Sequence, residues 1–199
     1  MYIPLGKAQA CLEVKKSRFI ALAIPCQNLA EVKKLVSETK SIHPESSHVV
    51  HAAVVGPNGD EFSCSDDHEP KNTAGRPILE VLKGSNVTNV AILVIRYFGG
   101  TLLGTGGLVK AYGESAKQVL ELLQTEELVE KCSFFLSTSY DLYEPLKKNL
   151  IACEATIAKE GFESAVTISG SLPVARKTEI QNLITETSNG RNQIVFSEG

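Results

Sequence analysis

Residues 89–115 read NVAILVIRYFGGTLLGTGGLVKAYGES, and two rhythms in that stretch decide the architecture of the first part of the chain. The run NVAILVIRYF is almost continuously apolar and of strand length, the pattern of a central strand covered on both faces. From Gly107 onward, Leu108, Ala111, Tyr112, Ser115, Val119 and Leu122 or Leu123 recur at helical spacing, which predicts a long amphipathic helix packed back on that sheet. Glycines fill the turn between them. Gly104, Gly106 and Gly107, with Thr105 between, let backbone N–H groups approach an anion at a helix N-terminus, and Lys110 lies one turn in. A packing-only reading of the same glycines stands beside this one. The spacing matches neither a Walker A loop nor a Rossmann fingerprint.

Working outward, SRFIALAIP predicts a strand, and NLAEVKKLVSETK a helix opened by Asn28 with Glu31 three residues on. HVVHAAVVGPNGDEFSCS predicts two strands around a Pro57-Asn58-Gly59 turn, and a further helix is expected from Ala74 towards Lys83. Beyond about Thr125 the pattern changes. VEKCSFFLSTS is a strand, and DLYEPLKKNLIAC a helix capped by Asp141 and Glu144 with Pro145 early enough to be tolerated. Two strands are expected across a turn at Gly161, then a helix from near Pro173 and a closing strand in RNQIVFSE. The expectation is an α+β chain of two domains, residues 1–124 and 125–199, the second a ferredoxin-like βαββαβ unit.

At 199 residues the length suits two such domains, and 43% apolar against 22% charged residues is an ordinary globular composition. No apolar run reaches the roughly 20 residues a bilayer span requires, and no signal core follows the N-terminus, so a cytoplasmic protein without a membrane partner is expected. The five cysteines are scattered and never paired as C-x-x-C, which suggests reduced structural thiols rather than disulfides or zinc ligands. A net charge of −3 argues against a surface that grips nucleic acid over its whole extent, and no DNA partner is expected. Residues 1–125 hold 13 Lys+Arg against 12 Asp+Glu, while 126–199 hold 7 against 11, so any anion site belongs to the first part.

A second segment carries a signal. CSDDHEPKNTAGRPIL, residues 64–79, crowds Asp66, Asp67 and Glu69 into four positions. Such crowding needs compensation: the carboxylates either cap the following helix, hold Mg²⁺, or clamp a basic group of a partner. Arg96, at the end of the apolar strand, pairs with Asp66 or Asp67 or reaches the same anion, and the sequence leaves these open. His48 and His51 stand three apart on a strand and so face opposite ways, which disfavours a shared metal. Lys15, Lys16 and Arg18 form a small basic cluster, a pattern more often found on a solvated strand edge than in a nucleic-acid patch, and Tyr97 and Phe98 offer rings either for stacking on bases or, for at least one of them, for core packing. No nucleophile with a local catalytic signature stands out. Arg76, Arg96, Tyr97, Gly99, Gly100, Gly104, Thr105, Gly106, Gly107 and Lys110 are the candidate anion- or partner-binding residues. Asp66 and Arg96 both leave strand termini, so the 99–107 loop is expected to lie beside the 66–76 segment and make one functional surface with it.

SDDHEPKNTAGRPIL and RYFGGTLLGTGGLVKAY together resemble the two hallmark blocks of the IMPACT family, also called the YigZ family, and KKSRFIA resembles its opening strand. The likeness spans roughly residues 14–123. His68, Lys71 and Asn72 depart from it, standing where the family pattern has glycine, serine and glycine. The resemblance implies a first domain with the left-handed βαβ fold of a small-subunit ribosomal protein and of domain four of elongation factor G. It implies a second domain like domain five of that factor. It also implies a binding or regulatory protein associated with translation, contacting RNA, the ribosome or a translation factor; no cofactor is expected for it. The alternative is a Mg²⁺-dependent enzyme acting on a phosphorylated small molecule or nucleotide, with Asp66, Asp67 and Glu69 as metal ligands.

Overall fold

The computed structural model describes residues 1–197 and divides the chain into Met1–Leu128 and Val129–Gly199. In the first unit the elements run β1 (Tyr2–Pro4), β2 (Ala8–Val14), β3 (Ser17–Pro25), α1 (Leu29–Ile42), β4 (His48–Val55), β5 (Glu61–Ser65), α2 (Gly75–Gly84), β6 (Val90–Tyr97), α3 (Gly104–Glu121) and β7 (Thr125–Glu127). Five strands pair antiparallel in the order β2-β3-β6-β4-β5. The chain reaches this order through two crossovers, β3–α1–β4 and β5–α2–β6, each passing over one intervening strand.

The apolar run at 90–97 is the middle strand, buried from Val90 to Arg96. Its side chains alternate as the two-residue period requires. Val90, Ile92 and Val94 pack with Ile78 and Leu82 of α2 and Ala111, Tyr112 and Val119 of α3. Ala91, Leu93 and Ile95 pack with Val32 of α1 on the opposite face. The Asn28 cap is reciprocal: Glu31 N–H donates to Asn28 Oδ1 at 3.0 Å, and Asn28 Nδ2 donates to Glu31 Oε1 at 3.0 Å.

The division after Leu128 has a local cause. Strand β7 pairs antiparallel with β1, Tyr2 opposite Glu127, so residues 125–128 close the first unit rather than open the second. A three-residue ladder between chain positions so far apart carries no local signature. Helix α3 begins one turn earlier than the apolar spacing indicates, at Gly104, so the glycines at 104–107 form its first turn and not a loop.

The second unit contains β8 (Lys131–Thr138), α4 (Tyr140–Ala152), β9 (Thr156–Phe162), β10 (Val166–Pro173), α5 (Lys177–Thr187) and β11 (Ile194–Ser197), with sheet order β11-β8-β10-β9. This is the expected βαββαβ order, and Leu136, Leu146, Leu150, Ile168, Ile180 and Ile184 build its core. Three local expectations change, the first being that Pro173 ends β10 and α5 starts later, at Lys177. Gly161 lies within β9, opposite Thr167, and the turn falls at 163–165. Ser139, not Asp141 or Glu144, is the N-cap of α4. All five cysteines are free thiols, and burial pushes the Cys26 thiol up to about 11. Among the described residues no helix is long and apolar enough to cross a membrane.

Candidate functional site

Sheet register sets the floor of the site. Arg96 lies opposite Phe19 on β3 and His48 on β4, and cross-strand neighbours share a face, so these three side chains form one row on the α2–α3 side. Arginine at the end of an apolar central strand is unusual because an unpaired charge there is costly. Here Arg96 is 5% exposed, and its Nη1 donates to Glu69 Oε1 at 2.6 Å. Tyr112 O–H of α3 donates to the same oxygen at 2.7 Å, and its ring stands edge-on to Phe19 with centroids 5.2 Å apart. Burial, reinforced by the adjacent Glu69 carboxylate, pushes the Tyr112 hydroxyl far above its ordinary range, so it stays a donor.

The three crowded carboxylates thus separate into three roles. Arg96 takes neither Asp66 nor Asp67 because each is already committed elsewhere. Asp66 turns back over the start of α2, its Oδ1 accepting from Ala74 N–H at 3.0 Å and Gly75 N–H at 2.8 Å, and its Oδ2 from Asn72 N–H at 2.8 Å. That is the capping role, and it fixes the 66–75 loop. Asp67 reaches the α1 side of the sheet, where it pairs with Lys40 and accepts from Val49 N–H at 2.7 Å. Burial alone would raise the Asp67 carboxyl; Lys40 and the Val49 amide outweigh it and hold the group below its ordinary range. With the carboxylates directed apart, no group of three His, Cys, Asp or Glu side chains among the described residues is placed to hold a metal.

The two departures from glycine in this loop have a backbone explanation. His68 has φ +70° and Asn72 φ +62°, a region glycine enters freely and other residues enter under strain. The turn therefore keeps a glycine geometry without glycine at either position.

The acidic and glycine-rich segments converge. A cleft of about 490 Å³ is lined by Ser47, His48, Glu69, Pro70, Arg96, Phe98, Leu102, Leu103, Gly104, Thr105 and Leu108. Gly99 pins the connecting loop. A Cβ built there would lie 2.0 Å from the Lys16 carbonyl carbon, so only glycine lets the loop sit on the β2–β3 turn. That contact brings the Lys15–Lys16 turn beside the start of α3, a neighbourhood no local pattern announces. Gly100, at φ +82°, turns the chain outward, and Gly106 is exposed on the first turn of α3. Among the described residues no side chain caps that first turn.

Other expected residues lie outside the cleft. Lys110 is about 200° round the helix from Leu108 and lines two grooves instead, one with Leu12, Val14 and Lys15 and one with Arg76 and Pro77. Arg76 is exposed and paired with Glu80 at 3.2 Å. Tyr97 faces the α1 side, its hydroxyl 2.7 Å from His43 Nδ1 and its ring under the Arg18 guanidinium at 4.7 Å. Phe98, by contrast, is 47% exposed on the cleft wall. His48 and Ser47 were absent from the sequence-based site. Ser47 Oγ accepts from Phe98 N–H at 3.2 Å, and His48 Nδ1 meets the Asp67 carbonyl at 2.7 Å.

The family model described as Impact N-terminal domain matches residues 15–120, and one for a domain of unknown function, DUF1949, matches 136–191. The chain is 34% identical over 198 residues to IMPACT family member YigZ of Escherichia coli, covering 98% of this chain and 97% of that one. It is 36% identical over 190 residues to an IMPACT family member of Haemophilus influenzae, covering 94% and 91%. A crystal structure of a hypothetical protein superposes with a TM-score of 0.70 at 34% identity, over 98% of this chain and 95% of that chain. Two domains in this order, both hallmark segments on one cleft and full-length likeness to these relatives lead to one conclusion: the chain belongs to the IMPACT family, also called the YigZ family.

Proposed function

We propose that this protein is a binding and regulatory component of the translation machinery whose first unit contacts RNA, alone or within the ribosome. One observation carries the reading. Around an uncapped helix N-terminus stand Lys15, Lys16 and Lys110, exposed and in no ion pair among the described residues, beside the exposed ring of Phe98. Unpaired lysines neutralise phosphates, an N-terminal helix turn favours an anion, and an aromatic face stacks on bases. The small net charge of −3 agrees with a local contact rather than wrapping of a long strand. Translation is the setting that family resemblance suggests. Mg²⁺-dependent chemistry on a phosphorylated molecule gains no support from the carboxylates, since Asp66, Asp67 and Glu69 each serve a different structural partner.

Filter binding of single-stranded RNA and ribosome co-sedimentation across a salt series test the proposal. Lys15→Ala, Lys16→Ala and Lys110→Ala combined should lower the slope of log affinity against log salt by about 2, at roughly 0.7 per contact on a single strand. Association that is absent, or indifferent to salt and to these three lysines, removes the reading.

A further inference from the structure

We propose that the cleft between Glu69 and Thr105 is a pocket for one nucleotide unit with an unpaired base. The inference rests on the RNA reading for its biological setting, but the pocket chemistry stands by itself. The cavity, about 490 Å³, is within the range that holds a small molecule, and too narrow for a base pair with its two backbones. Its walls and floor differ in kind. Phe98, Leu102, Leu103, Leu108 and Pro70 make an apolar slot, and the Phe98 ring lies open to it. A flat, weakly hydrated face fits such a slot.

Polar groups at the other surfaces specify the rest of the ligand. The Asp67 carbonyl can only accept, so the 2.7 Å contact places a proton on His48 Nδ1. Nε2, 3.8 Å from Glu69 Oε1, is the remaining polar atom of that ring beside the cleft that His48 lines. It offers a hydrogen bond to a polar group of the ligand, such as a base edge or a ribose hydroxyl. Gly104 and Thr105 bring the uncapped N-terminus of the 18-residue α3 to the cleft, which calls for an anion.

The helix end does not stand alone. Arg96 also lines the cleft, 5% exposed; its protein hydrogen bond is through Nη1 to Glu69, and its Nε is buried without a partner among the described residues. The guanidinium adds a positive charge to the cleft wall beside that helix end, a partner for an anionic ligand group. Because Glu69 offsets its charge, the site favours a single phosphate over a highly charged ligand. Flat face, polar edge and one phosphate occur together in a nucleoside 5′-monophosphate, free or as one residue of a single strand.

Amide spectra of the ¹⁵N-labelled full chain, titrated with the four nucleoside 5′-monophosphates, a nucleoside, inorganic phosphate, a single-stranded hexaribonucleotide and an RNA duplex, test this. Monophosphates should shift resonances of residues 47–48, 96–98 and 102–108, more tightly than nucleoside or phosphate alone. The single strand should shift the same set, and the duplex should not. Phe98→Ala, at an exposed position, should weaken the single strand about tenfold without changing the salt slope, whereas Lys15→Ala with Lys16→Ala should change the slope. Inorganic phosphate binding as tightly as the nucleotides would overturn the pocket. So would RNA binding that leaves the cleft unshifted, although RNA contact would then survive. Monophosphates bound at the cleft with no affinity for any RNA would uphold the pocket and remove the RNA reading instead.

Discussion

Replacing Glu69 by leucine should destabilise the first unit far more than the loss of one surface ion pair. The side chains of Arg96 and Glu69 are 6% and 4% exposed, so Glu69→Leu leaves a guanidinium charge inside the fold without its carboxylate. Breaking a buried pair from one side costs about 3–5 kcal/mol. The Tyr112 hydroxyl, on a fully buried residue, loses its acceptor in the same step, for about 1–3 kcal/mol more. These losses share one oxygen and do not add fully, and a total of about 4 kcal/mol is expected. Against the roughly 5–15 kcal/mol stability of a typical domain, that leaves the unit marginal. Urea denaturation followed by tyrosine fluorescence and circular dichroism measures it, since the chain has no tryptophan. The triple replacement Glu69→Leu, Arg96→Met, Tyr112→Phe removes every orphaned group and should recover at least half the loss. A single-variant cost under about 1 kcal/mol, as for an exposed pair, or a triple variant no more stable than the single, would refute the reasoning.

Gly99→Ala should cost about 2–3 kcal/mol in the same assay, because its Cβ meets Lys16 backbone at 2.0 Å, while Gly100→Ala, with open space at φ +82°, should cost about 1 kcal/mol from strain alone. His68→Gly should stabilise by up to about 1 kcal/mol by relieving φ +70° at an exposed position, and an unchanged or lower urea midpoint would contradict that. Stability should fall in two steps on acidification. Burial holds the His51 imidazole below its usual range, so its contribution is full above about pH 6.5 and is lost as pH drops through the lower folded value; Asp67, also depressed, loses its contribution only below about pH 4. Urea midpoints from pH 8 to 3 should show both steps, and His51→Leu should remove the upper one and keep the lower.

Elements with a strong local rhythm were legible in the sequence. The central strand at 90–97, the capped helix at 29–42 and the βαββαβ order of the second unit follow from apolar period and capping residues. What escaped depends on tertiary pairing. Strands β1 and β7 are three residues each and stabilise one another across more than a hundred positions, so neither reads as a strand alone. The site shows the same limit. That the 66–76 and 96–107 segments matter is visible in their composition, but Asp66, Asp67 and Glu69 are chemically alike in sequence. Only the turn at positive φ separates them, sending Asp66 to the helix cap, Asp67 to Lys40 and Glu69 to Arg96. His48 enters the site through its register opposite Arg96, which no spacing within its own strand reveals.

Ultraviolet cross-linking of the full chain to single-stranded RNA and to ribosomes, with peptides mapped by mass spectrometry, tests the binding surface most directly. Cross-links should concentrate at Phe98 and in residues 15–18 and 96–110, and should fall away in the Phe98→Ala and Lys15→Ala/Lys16→Ala/Lys110→Ala variants. Cross-links confined to residues 129–197, or unchanged in those variants, would contradict the account.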